Sequence, residues 1–198
     1  HVRDKNKPPT AKAFLRAGPR PELHFTPTEV RGAIVTCGGL CPGLNSVIHH
    51  LVNTMLRTYK ADKVFGIRGG FAGFYDDTTP AVELTSKGVE MLQHQPGSVL
   101  GSSRGGFDLE KIIKFLVDNK ASVLCRVLCL RTQVNQLYII GGDGTHRGAL
   151  RIASECMHRG LNVSVAGIPK TIDNDLDLID RSFGFLTAVE VCMATVVA

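Results

Sequence analysis

The segment Pro169-Lys170-Thr171-Ile172-Asp173-Asn174-Asp175 places two carboxylates, a hydroxyl and an ammonium side by side. Phosphoryl transfer to an alcohol calls for that set. It needs a carboxylate near the acceptor hydroxyl, donors on the phosphate, and positive charge to neutralise the group in transit. Asp173 is the candidate base, Thr171 a donor, Lys170 the fixed charge, and Asn174 a residue able to orient the loop. An Asp/Asn-rich stretch is otherwise an ordinary surface turn. The apolar run directly before it, Val163 to Ile168, favours chemistry, because ligands of open α/β sheets bind beyond strand ends. Asp177 and Asp180 read as solvated turn residues.

A second unit has the same form. The run Leu137 to Ile140 is followed by Gly141-Gly142-Asp143-Gly144-Thr145. Gly142 and its neighbour clear space for a nucleotide, and Gly144 has no side chain to obstruct one. Asp143 can hold a phosphate-bound Mg2+ through oxygen. Thr145 can cap the helix that follows, although Asp143 could equally serve only as a cap. Two weaker signals accompany this unit. Gly38-Gly39-Leu40-Cys41-Pro42-Gly43 can bring backbone amides up to a phosphate at a helix start, but it lacks the Gly-Lys-Ser/Thr ending of a Walker loop. Arg104, in Ser102-Ser103-Arg104-Gly105-Gly106, can clamp a transferring group, though a lone loop arginine is often merely solvated.

These groups need a scaffold. Gly32 to Thr36, Lys63 to Ile67, Leu137 to Ile140 and Val163 to Ile168 read as buried strands, and Ser98 to Gly101 as a strand edge. Helices are expected from about Leu44 to Tyr59 (apolar at Val47, Leu51, Met55 and Leu56), over Thr85 to His94, after an Asp108 cap, from about Thr145 to His158, and from Phe185. Alternating strands and helices predict an α/β fold, a doubly wound, Rossmann-like, mostly parallel sheet. Residues 1–30, with five prolines, read as an irregular basic leader before a lobe spanning 31–198. Ala121 to Thr132 is too long for a helix-to-strand link and reads as an insertion, with an extra strand or an extended helix as the alternatives.

Composition narrows the function classes. Of the net charge of +5, the first 31 residues carry +4, so the body is no basic surface for nucleic acid. No apolar run approaches the ~18 residues of a spanning helix, so no membrane role is expected. The pairs Cys37/Cys41 and Cys125/Cys129 each have three intervening residues, the histidines are scattered and no metal cage is read, so the six cysteines read as reduced thiols, with Cys37 and Cys41 flanking the first glycine turn. His49, His50 and His146 receive no role.

The motifs TCGGLCPGLN at 36–45, GIRGGFAGF at 66–74, LGSSRGG at 100–106, GGDGT at 141–145, PKTIDND at 169–175 and SFGF at 182–185 resemble the phosphofructokinase family, most closely its plant-type ATP-dependent 6-phosphofructokinases. The resemblance implies a truncated phosphofructokinase fold whose second lobe is largely missing. It also implies transfer of the terminal phosphoryl group of ATP to the 1-hydroxyl of fructose 6-phosphate. Asp173 would be the base, and Thr171, Ile172 and Asp173 would line the sugar-phosphate site. Gly38, Arg104, Gly105, Gly142, Asp143, Gly144 and Thr145 would meet ATP, with Asp143 on Mg2+ and Lys170 and Arg104 neutralising charge. Pyrophosphate-dependent relatives share a lysine like Lys170 but typically carry aspartate at the position of Gly144, so glycine favours ATP. Leu186 departs from the acid usual after Phe-Gly-Phe. The resemblance also implies a homo-oligomer in the full-length protein, located in the cytoplasm, with a plastid as the alternative. A truncated, non-catalytic nucleotide-binding partner and a pyrophosphate-dependent enzyme are the competing readings. A nicotinamide oxidoreductase is disfavoured by the absence of Gly-x-Gly-x-x-Gly.

Overall fold

The computed structural model describes residues 18, 21–117, 133–176 and 179–197. Most of the basic leader and all of the expected insertion at 121–132 lie outside these residues. Strand β1 (Arg31–Thr36) leads into helix α1 (Leu44–Asn53), which continues as one π-helical turn over Thr54–Thr58. Then follow β2 (Lys63–Ile67), β3 (Val82–Glu83), α2 (Leu109–Val117), β4 (Gln136–Gly141), α3 (Asp143–His158), β5 (Ser164–Pro169) and α4 (Phe185–Val197).

The strands form one sheet in the order β3-β2-β1-β4-β5. All neighbours are parallel except the short β2–β3 pair. The chain winds outward from β1 to β3 and then crosses to β4 and β5. The winding direction therefore reverses between β1 and β4, and such a reversal leaves a crevice at the strands' C-terminal ends. Alternation along the strands divides the apolar side chains between two cores. Ala33, Val35, Phe65, Leu137 and Ile139 meet Ile112, Ile113 and Ile152 of α2 and α3. Ile34, Val64 and Ile140 face Leu44, Ile48, Val52 and Met55 on the other side.

The doubly wound, mostly parallel sheet agrees with the sequence, but several local expectations need correction. Of the apolar positions expected on the first helix, Met55 is buried and Val47, Leu51 and Leu56 pack half-buried against the same core, but the most buried stripe of α1 is Leu44, Ile48 and Val52. Thr85 to His94 is no α-helix. The Thr85 hydroxyl accepts the Gly88 amide at 3.0 Å and holds a turn, and only Leu92–His94 forms a 3-10 segment. Ser98 to Gly101 closes into a turn through the Gly101 amide on the Ser98 carbonyl, 3.0 Å. Pairing with the end of β1 falls instead on Ser103, as a single parallel bridge to Cys37. Finally, β5 is not buried: Ser164, Ala166 and Gly167 are exposed. An apolar run specifies a strand that suits a sandwiched position. Burial depends on a cover, and among the described residues β5 is the last strand of the sheet. No helix among the described residues is long and apolar enough to cross a membrane.

Candidate active site

Three loops leave the C-terminal ends of the adjacent strands β1, β4 and β5. After β1, Gly38 adopts φ +86°, a conformation that suits glycine. Its amide donates to the Ser103 carbonyl at 2.9 Å, and the Ser102 hydroxyl donates to its carbonyl at 2.7 Å. The loop carrying Arg104 is thereby fastened to the glycine turn. A Cβ on Gly39 would lie 3.7 Å from Arg104 Nη2, and one on Gly38 would lie 3.4 Å from Lys170 Nζ. Two cations thus converge on a turn with no side chains of its own. Gly105, at φ +85°, sits on the exposed outer part of the Arg104 loop.

After β4, Gly142 is the N-cap of α3, and Asp143, Gly144 and Thr145 form its first turn. This corrects the expected start at Thr145: the helix begins at Asp143, and neither Asp143 nor Thr145 is the cap. The Thr145 side chain turns back onto Gly141, where a Cβ would lie 2.5 Å from its Oγ1. Gly141 is therefore needed to seat the first turn. Asp143 is open to solvent and forms an i,i+4 ion pair with Arg147, 2.7 Å. Gly144 faces open space. His146 Nδ1 lies 2.8 Å from the Gly142 carbonyl, and its buried Nε2 has no partner among the described residues.

After β5, Lys170 ties the three loops together. Its amide donates to the Gly141 carbonyl at 2.9 Å, and its Nζ donates to the Gly39 carbonyl at 2.5 Å. The residue is only 5% exposed. Burial holds its ammonium below the usual lysine range. Arg104 acts in the same direction, and the Cys41 and Cys37 thiols oppose it. Burial also pushes the Cys37 thiol up to about 12, despite the Phe71 amide and Lys170. Thr171 is buried, whereas Ile172 and Asp173 are exposed. The Thr171 hydroxyl donates to Asp175 Oδ1 and accepts the Asp173 amide at 3.3 Å. Its proton is therefore committed to Asp175, where the sequence suggested a donor free for phosphate.

Every candidate residue thus lies in a loop or first helical turn that follows β1, β4 or β5, or in the Arg104 loop fastened to Gly38. Asp143 and Asp173 follow adjacent parallel strands and open at the same edge. Among the described residues no group of three or more His, Cys, Asp or Glu side chains could hold a metal ion. The exposed Asp143 carboxylate, paired with Arg147, could offer one oxygen to a cation that keeps its waters, as Mg2+ does.

The sequence profile of the family described as Phosphofructokinase matches residues 31–198. The chain belongs to the phosphofructokinase family. It is 47% identical over 182 residues to "ATP-dependent 6-phosphofructokinase 7" of Arabidopsis thaliana, covering 92% of this chain and 34% of that protein. It is 40% identical over 182 residues to the ATP-dependent 6-phosphofructokinase of Borreliella burgdorferi, covering 91% and 38%. The chain therefore spans about a third of the length of these phosphofructokinases. In fold it is similar to Pichia pastoris phosphofructokinase in the T-state (TM-score 0.67, 22% identity, 84% of this chain and 17% of that one). It is likewise similar to the pyrophosphate-dependent phosphofructokinase of Marinobacter aquaeolei (TM-score 0.64, 21% identity, 79% and 37%).

Proposed function

We propose that this chain carries the phosphoryl-transfer site of an ATP-dependent 6-phosphofructokinase acting on fructose 6-phosphate. The observation that supports this most directly is the double attachment of Lys170, by its amide to Gly141 and by its side chain to Gly39. That attachment gathers a base candidate, a metal-ligand candidate and two cations into one wall.

In this reading Asp173 takes the proton of the sugar 1-hydroxyl. The freed oxygen pair forms a bond to the γ-phosphorus of ATP, and the bond from that phosphorus to the β–γ bridging oxygen breaks, releasing ADP. Thr171 and Ile172 line the sugar-phosphate side of the same loop. Arg104 and Lys170 offset the charge on the transferring group from fixed positions, which avoids reorganisation during the reaction. Gly38, Gly105, Gly142, Gly144 and Thr145 form the nucleotide wall, where backbone amides at the start of α3 favour phosphate. Mg2+, held by Asp143 and the phosphates, would supply further charge neutralisation. Residues 31–198 would then be the nucleotide-binding and catalytic lobe of a homo-oligomeric enzyme of the cytoplasm or a plastid.

The purified chain is assayed for fructose 1,6-bisphosphate with ATP and, separately, with pyrophosphate. Product from ATP, abolished by Asp173→Asn, supports the reading. Product from pyrophosphate alone favours a pyrophosphate-dependent enzyme, and nucleotide binding without product favours a non-catalytic partner.

A further inference from the structure

The loop bearing Asp173 is secured at its start but has few ties further along. Lys170 is bound twice. Beyond it, among the described residues, the one hydrogen bond made by the backbone of Ile172 or Asp173 is the long one from the Asp173 amide to Thr171 Oγ1, 3.3 Å. Both side chains are exposed, so packing does not fix them. A general base must nevertheless be held within a fraction of an ångström of its proton.

Ser182 supplies the missing constraint from outside the loop. Its hydroxyl, in a residue 7% exposed, donates to the Thr171 carbonyl. Its amide donates to Asn174 Oδ1 at 2.7 Å, and Asn174 Nδ2 donates to the Asp180 carbonyl at 2.9 Å. Thr171 and Asn174 flank Ile172 and Asp173, so one serine grips both sides of the pair. Asn174 sits at φ +52°, a left-handed conformation that asparagine tolerates better than most residues, and there its amide faces Ser182 and Asp180. The serine is itself a fixed post. Cys41 Sγ donates to the carbonyl of the next residue, Phe183, at 3.2 Å, and Gly184, at φ +80°, is so close to the β1–α1 connection that a Cβ on it would overlap the Pro42 carbonyl oxygen. The grip is therefore referred to the β1–α1 connection, the same connection on which Lys170 rests.

We infer that Ser182 is a positioning residue for the loop that carries Asp173, acting through Thr171 and Asn174. It touches no reacting atom. Its kinetic consequence rests on the phosphoryl-transfer reading, whereas its effect on loop order does not.

The test uses Ser182→Ala, Ser182→Thr and Asn174→Asp. The last keeps the acceptor for the Ser182 amide and loses the bond to Asp180. Amide hydrogen exchange over residues 171–175 is measured beside turnover and ATP titration. Ser182→Ala is expected to speed exchange in that segment while β1 and β4 stay protected. It is also expected to lower kcat by about 10- to 100-fold, as a misplacement near 1 Å does, with the KM for ATP unmoved. Ser182→Thr, which keeps the hydroxyl, should restore both, and Asn174→Asp should fall between. Unchanged exchange and kcat in Ser182→Ala overturn the assignment. So does a parallel loss of ATP binding and global stability, which would make the serine merely structural. If the unsubstituted chain forms no product, the kinase reading fails, and loop exchange alone decides the brace: faster exchange in Ser182→Ala supports it, and identical exchange refutes it.

Discussion

Lys170, at the end of β5, donates from its Nζ to the carbonyl of Gly39, which lies beyond β1 and across the intervening strand β4. A buried ammonium bound to a neutral carbonyl keeps its charge at a cost, and that cost has a pH signature. In the unfolded chain the group titrates at 10.5, and in the fold it titrates lower. Between those values the unfolded state holds more protons, so stability rises with pH, and the gain is complete once pH passes 10.5. Lys170→Met lacks this rise. The comparison belongs in a background with Cys37 and Cys41 replaced by alanine, because burial raises both thiols and their contributions fall with alkaline pH. With urea midpoints followed from neutral pH to 10.5, the midpoint of the Lys170 protein should climb relative to that of Lys170→Met as pH rises. A constant difference would remove the argument.

Asp173 carries the proposed proton transfer. Asp173→Asn keeps size and polarity but cannot take a proton, so kcat should fall by about 10²- to 10⁴-fold. The side chain is exposed, and its carboxylate makes no hydrogen bond among the described residues. Thermal stability and ATP affinity should therefore hold. Loss of both would point to a structural role.

Gly144 faces open space at the start of α3, so a larger side chain fits without strain. Gly144→Asp should fold normally yet bind ATP more weakly. A second carboxylate beside Asp143 would face the phosphates, a repulsion on the order of 1–4 kcal/mol, about 5- to 900-fold in Kd. An ATP titration with a melting curve decides. Unaltered ATP affinity would deny Gly144 a part in choosing the phosphoryl donor.

Gly73 makes the opposite prediction. A Cβ there would overlap the carbonyl oxygen of Arg68, which is backbone and cannot swing aside. Gly73→Ala should destabilise by about 1–3 kcal/mol, the usual range for overpacking, and should be visible as a lowered denaturant midpoint. A midpoint matching the parent would mean that the 3-10 turn at Gly70–Phe74 relaxes freely.

The parts of this fold that the sequence made legible are those governed by continuous local patterns. The apolar runs marked β1, β2, β4 and β5, and the Asp108 cap is realised by the Lys111 amide on its Oδ1, 3.2 Å. The glycine- and aspartate-rich loops fell at strand ends because such residues accept the tight turns found there. Where local signals competed, the reading failed. Thr85 and Gly88 could join a helix or close a turn through the threonine hydroxyl, and the turn won. The two-residue β3 is too short for any period to register. The exposure of β5 and the attachments of Ser182 are long-range facts. Nothing near Ser182 in the chain announces that it grips Thr171, 11 positions away.

The edge position of β5 among the described residues has a consequence for how the protein fails on warming. Among the described residues β5 pairs with a strand on one side only, and such a strand opens at lower free energy than the enclosed β1 and β4. The segment from Lys170 to Asp175 hangs directly from it. Heat should therefore silence the site while the central strands still hold their circular-dichroism signal, so inactivation precedes melting.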